Sequence, residues 1–145
     1  MNTDNPSQPI ALPPLPPRIV EIACPQTFTL LESIRSPEPV ALISAPGAAL
    51  ALGAPWWRAL MHDNAHPDIL DCGTAAAVAA WAMRHGQVYV VFSGNPAQRR
   101  ALGALAKTCG AHILDTRPEA LSLGLPPYAE YHRLKLATFL AGAVP

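Results

Sequence analysis

The sequence predicts an α/β domain: one mostly parallel sheet of about five strands with flanking helices. Three observations carry that prediction. Short apolar runs at Asp68–Asp71, Val88–Phe92 and His112–Asp115 alternate with longer helical segments. The first two runs lead into a small residue and glycine, as strand-to-helix turns require, and Gly86 and Gly110 close the helices between the runs. The run Pro39–Ser44 shows no polar alternation, the pattern of a strand buried on both faces. A doubly wound open sheet is the expected winding, with an incomplete βα barrel as the alternative, because periodicity does not say whether a sheet closes.

Residues 1–17 contain six prolines, four of them in Pro-Pro-Leu-Pro-Pro at 13–17. Proline lacks the N–H that helices and strands need, so this stretch reads as a Pro-rich tail, extended or disordered. The α/β domain then spans 18–125, and 126–145 forms a C-terminal helix packed on the domain or on a partner subunit. Arg18–Ala23 is a β-branched strand stopped by Cys24-Pro25, and Thr27–Ile34 aligns Thr27, Leu31 and Ile34 on one helical face. Ala45-Pro46-Gly47 turns the chain after the second strand. Pro55 suits a first helical position, and Trp56/Leu60 and Trp57/Met61 are i,i+4 pairs. Helices follow at Thr74–His85 and Pro96–Cys109, the second opened by Asn95-Pro96. In it Leu102, Leu105, Ala106 and Cys109 make the buried stripe, with Arg99, Arg100 and Lys107 outside. Glu119–Leu123 reads as one helical turn. Pro126-Pro127 opens a last helix, Tyr128 to Ala141, that aligns Tyr131, Leu134 and Thr138.

Half of the residues are hydrophobic and only 14% are charged, against ~25% charged in ordinary globular domains. Covering apolar surface in a homo-oligomer, or against a partner protein, is one remedy for so thin a polar shell. The formal net charge is zero and no basic run occurs, so the electrostatic footprint of a nucleic-acid binder is missing. Cys24, Cys72 and Cys109 lie far apart, which argues against a disulfide framework or structural zinc site. The uncharged stretch Pro39–Trp57 is broken by Pro46, Gly47, Gly53 and Pro55, so no membrane span is expected. With a polar, acidic start unlike a signal peptide, the chain reads as soluble and cytoplasmic.

In open α/β sheets ligands bind beyond the carboxyl ends of the strands. Polar residues gather at those ends, and the candidates for binding a small anion there are Gly47, Asp71, Gly73, Thr74, Ser93, Asn95 and Arg117. The competing reading is that they cap helices and make turns, which any βα protein needs. Cys72 is the candidate nucleophile, because a thiol between a strand and a helix N-terminus can have its pKa lowered. A phosphatase-type loop would need Arg six residues later, where Val78 stands. His62 and His66 have i,i+4 spacing, but Asp63 occupies the place of a metalloprotease glutamate and Pro67 follows. No phosphate-binding or dinucleotide-binding glycine motif occurs, and neither a metal nor a cofactor is expected.

One stretch carries a family likeness. A strand ending Leu-Asp-Cys-Gly, a small-residue helix, Val-Tyr-Val-Val-Phe, Asn-Pro-Ala-Gln-Arg-Arg and Pro-Glu-Ala-Leu follow one another between Leu70 and Leu121. This layout, about a third of the chain, resembles STAS domains, regulatory modules similar to anti-sigma-factor antagonists. The resemblance implies a regulatory role in which Thr74 takes the place of the phosphorylated Ser or Thr; the family's Asp-Ser motif and N-terminal hairpin have no counterpart here. No catalytic pattern is complete in this sequence. The expected function is therefore a non-catalytic binding module that self-associates. A small-anion binder or enzyme at the strand edge, and a STAS-like regulatory domain, are the alternatives.

Overall fold

The β-branched and Ala-rich segments fold as their patterns require. In a computed structural model that describes residues 14–142, β1 (Arg18–Ile22), α1 (Pro25–Glu32), β2 (Val40–Ser44), α2 (Ala48–Leu52) and α3 (Ala54–Leu60) come first. Then come β3 (Asp68–Asp71), α4 (Ala76–Arg84), β4 (Tyr89–Val91), α5 (Pro96–Cys109), β5 (His112–Leu114) and α6 (Glu130–Leu140). The expected sheet is present: five parallel strands, in the order β1-β2-β3-β4-β5.

That order differs from a doubly wound sheet, which reverses direction partway. Each right-handed crossover here steps the same way, and repeating one step puts every helix on one face. All the helices accordingly feed one core cluster, in which Leu31, Trp57, Ala79, Leu102 and Leu136 meet Val20, Leu42, Leu70, Val90 and Phe92 of the strands and their ends. The second face carries Ile19, Ala41, Ile43, Ile69, Tyr89 and Val91, joined by no helical residue. The strand order is that of a βα barrel segment, laid out as one open five-stranded sheet.

An apolar sheet face without helices needs another cover, and the chain supplies it with segments that flank the sheet. Leu15, Leu114 and Ala120 pack against the second face. After β5 the chain returns to the outer edge of β1. There Leu121 N–H donates to Ile19 O at 2.8 Å and Glu21 N–H donates to Leu121 O at 2.8 Å. The returning strap bends at Asp115 and Thr116 and carries no helix before the Leu121 bridge. Glu119–Leu123 is therefore not the helical turn its composition suggests: the backbone of Leu121 bonds to β1 instead. The Pro-rich segment falls mostly outside the described residues; residues 14–17 carry no helix or strand, and Leu15 lies against the sheet.

Other boundaries move for local reasons. α4 starts at Ala76 rather than Thr74 because Asp71 Oδ1 accepts Gly73 N–H at 2.9 Å and Gly73 takes a positive φ of 54°, so the turn uses those residues. Cys109 is exposed, whereas Leu102 and Ala106 are buried as the stripe predicts. Trp57 is fully buried, its indole N–H donating to Asp68 Oδ1 at 2.9 Å, and Trp56 is half-buried against the same core. The tryptophan pair is thus spent inside the domain.

α6 docks through Leu136 and Leu140, both fully buried, while Leu134 is 55% exposed. Leu136→Ala should therefore lower unfolding stability by about 2–5 kcal/mol in urea titrations. Leu134→Ala should change it by less than about 0.5 kcal/mol. Equal losses at the two positions would mean α6 is not seated on that face.

Candidate functional site

Side chains alternate along a strand, so Glu21 on β1 and Asp71 on β3 share the second face with Ile19 and Ile69. Both lie at the carboxyl ends of their strands, where the strap passes. Arg117 reaches them from the strap. Its Nη1 donates to Asp71 Oδ2 at 2.8 Å and to Ser44 O at 2.9 Å, and its Nη2 donates to Glu21 Oε1 at 2.6 Å. Ser122 Oγ donates to Glu21 Oε2 at 2.9 Å. The side chains of Asp71, Glu21 and Arg117 are 8%, 14% and 24% exposed, so this is a largely enclosed cluster. Two carboxylates face one guanidinium, which leaves the cluster with an excess negative charge and Arg117 with its fork already occupied.

The remaining predicted residues hold local structure. Ser93 N–H donates to Gly73 O at 2.8 Å, tying the ends of β3 and β4 together. Asn95 Oδ1 accepts Gln98 N–H at 2.9 Å and Gln98 Oε1 accepts Asn95 N–H at 3.4 Å, a closed capping box. Gly47 precedes α2 with φ 75°, and Thr74, the position the STAS likeness singles out, is exposed in the turn before α4. Asp71, Gly73 and Arg117 are brought together; Asn95 and Gly47 serve their own helices. A sheet without a reversal of strand order also has no switch-point crevice of the kind that receives ligands in doubly wound folds.

Cys72 is 1% exposed, with Sγ directed to Leu70 O at 3.8 Å. Burial, reinforced by the neighbouring Asp71 carboxylate, pushes its thiol up to about 12. Helix-dipole activation is overridden by desolvation. Cys24 behaves oppositely. Burial works against its thiolate, but the Thr27 hydroxyl at 3.4 Å and the backbone N–H groups of Thr27 and Gln26 outweigh it, and the net shift is downward. Thr27 Oγ1 also lies 2.5 Å from the Tyr128 hydroxyl, which donates to Gly124 O at 2.9 Å. Cys24-Pro25 at a helix start was a visible signal for this thiol; Tyr128, 101 positions from Thr27, was not.

The second feature is the outer side of α6. Tyr131 is 66% exposed and Leu134 is 55% exposed. With Leu121, Lys135, Thr138 and Phe139 they line a shallow groove of ≈ 300 Å³. Among the described residues no group of three or more His, Cys, Asp or Glu side chains could hold a metal ion, and no helix is long and apolar enough to cross a membrane. No family model, curated protein or solved structure matches this chain.

Removing the guanidinium strands two enclosed carboxylates and frees the strap. Arg117→Met should cost about 1–3 kcal/mol of stability, less than a fully buried pair because water reaches the cluster. A neutral outcome in denaturant titrations would show that the strap is held by its apolar contacts alone.

The native state keeps the Cys72 proton up to about 12, whereas the unfolded chain releases it near 9.0. Stability should therefore fall as pH rises between those values, by up to ~1.4 kcal/mol per pH unit from this group. Cys72→Ala should flatten that part of the profile. At neutral pH a thiol reagent should modify Cys24 and Cys109 in the folded protein and reach Cys72 only on unfolding. Native-state modification of Cys72, read by peptide mass mapping, would contradict its burial.

Proposed function

We propose that this chain is a non-catalytic binding module that works by self-association, with the outer side of α6 as its contact surface. The observation that carries this reading is the division of α6. One side supplies Leu136 and Leu140 to the core, and the other presents Tyr131 and Leu134 to solvent beside an apolar groove. Exposed aromatic and aliphatic residues grouped on one helix face are the usual mark of a protein contact.

The polar strand edge supports the same conclusion by how it is used. Arg117 is engaged by Glu21, Asp71 and Ser44, Asn95 by its own helix, and Cys72 is shielded from substrate and solvent. An anion entering there would have to displace two carboxylates from one guanidinium. Cytoplasmic residence belongs to this reading, and three free cysteines suit a reducing compartment.

Sedimentation velocity from about 1 to 500 μM tests the reading, a range that captures weak association. The expected result is a sedimentation coefficient that rises with concentration and falls to the monomer value in Leu134→Asp. Inorganic phosphate should leave the melting temperature unchanged. A strict monomer across the range, or a phosphate-induced shift abolished by Arg117→Met, would overturn it in favour of the strand-edge site.

A further inference from the structure

α6 also specifies how the two copies meet. Written as a heptad, it places Tyr131, Leu134, Thr138 and the C-cap residue Ala141 at successive a, d, a and d positions. Glu130 then falls at g and Lys135 at e. All six of these residues are exposed. Leu136 and Leu140, the buried residues of the helix, fall at f and c, on the opposite side from the a/d seam. The buried stripe therefore lies behind the seam, and Leu121 of the strap shares the groove beside it.

We infer that two copies of this chain pair their α6 helices in parallel and in register, seam against seam. The inference rests on the self-association reading and adds the occupant's orientation. Charge sets that orientation. In a parallel pair a g residue of one helix meets the e residue five places on in the other, so Glu130 of each copy faces Lys135 of its partner. In an antiparallel pair e meets e and g meets g, which sets lysine against lysine and glutamate against glutamate. Among the described residues neither Glu130 nor Lys135 belongs to an ion pair within the chain, so both are free for the contact. Parallel pairing stacks Tyr131 on Tyr131 and Leu134 on Leu134, and the small Thr138 and Ala141 let the helices converge at their C-terminal ends. The seam is only three turns long, so the dimer is a weak and reversible one.

Charge reversal tests the pairing in the full-length protein. Glu130→Lys and Lys135→Glu should each weaken the dimer about ten-fold, since each turns two attractions into repulsions. The double variant recreates the pair with its signs exchanged and should return to the wild-type dissociation constant, while Leu134→Asp should be monomeric. Far-UV circular dichroism confirms that each variant keeps its helices, and Leu134→Ala, weakening the dimer less than Leu134→Asp, serves should the aspartate disturb the fold. Single reversals without effect, or a double variant no better than either single, would overturn the parallel arrangement while leaving self-association standing. A wild-type monomer at every concentration would overturn both.

Discussion

Four successive right-handed crossovers that all step the same way leave one face of a sheet without helices, and most of this molecule follows from that constraint. The second face is lined by Ile19, Ala41, Ile43, Ile69, Tyr89 and Val91, which water cannot be allowed to reach. A barrel would solve the problem by closing on itself and filling its interior with side chains. Five strands do not close. The chain instead draws Leu121 back to the edge of β1, and Arg117 pins the returning strap by bonding to the ends of β1, β2 and β3 at once. A guanidinium suits this post because its planar fork can serve a backbone carbonyl and two carboxylates together; an ammonium, a single point of charge, could not span them as well.

The same constraint explains what became of the strand-end edge. Polar residues gather there in any parallel sheet, because strands end and helices begin there, and their presence alone does not distinguish a site from a set of turns. Glu21 and Asp71 would be costly to enclose unpaired. Once Arg117 meets them, the strand-end region above β1–β3 is a closed electrostatic unit that fastens the strap. Cys72 sits just beyond, where burial rather than the helix dipole decides its chemistry.

What was legible in the sequence was local. Short apolar and β-branched runs located the five strands, period-3.6 patterns located most of the helices, and Asn95-Pro96 marked the start of α5 at the residue where it begins. Strand order was not legible, because the same apolar runs suit a doubly wound or a singly wound sheet. The strap was misread as a turn since Pro-Glu-Ala-Leu has helical composition, and the pairing of Leu121 with β1 lies beyond any local pattern. The partners of Arg117 lie 46, 73 and 96 residues away in the chain, beyond any spacing rule. Trp56 and Trp57 looked alike as neighbours, yet one face of α3 turns inward and takes only Trp57 fully with it.

α6 shows why a helix can hide its role from periodicity. Amphipathic helices announce themselves by one apolar stripe, but α6 is apolar on two opposite sides. Leu136 and Leu140 face the domain, and Tyr131 and Leu134 face away, so the two stripes cancel in any single-direction measure. The structure separates them by burying one set and exposing the other. A helix apolar on both sides is stable in water only to the extent that something limits the exposed stripe. In α6 that stripe is short, and it is bordered by the exposed, charged Glu130 and Lys135. The proposed pairing would take its orientation from these two residues, since the chain carries few other charges and adjacent opposite charges are only partly screened at modest ionic strength.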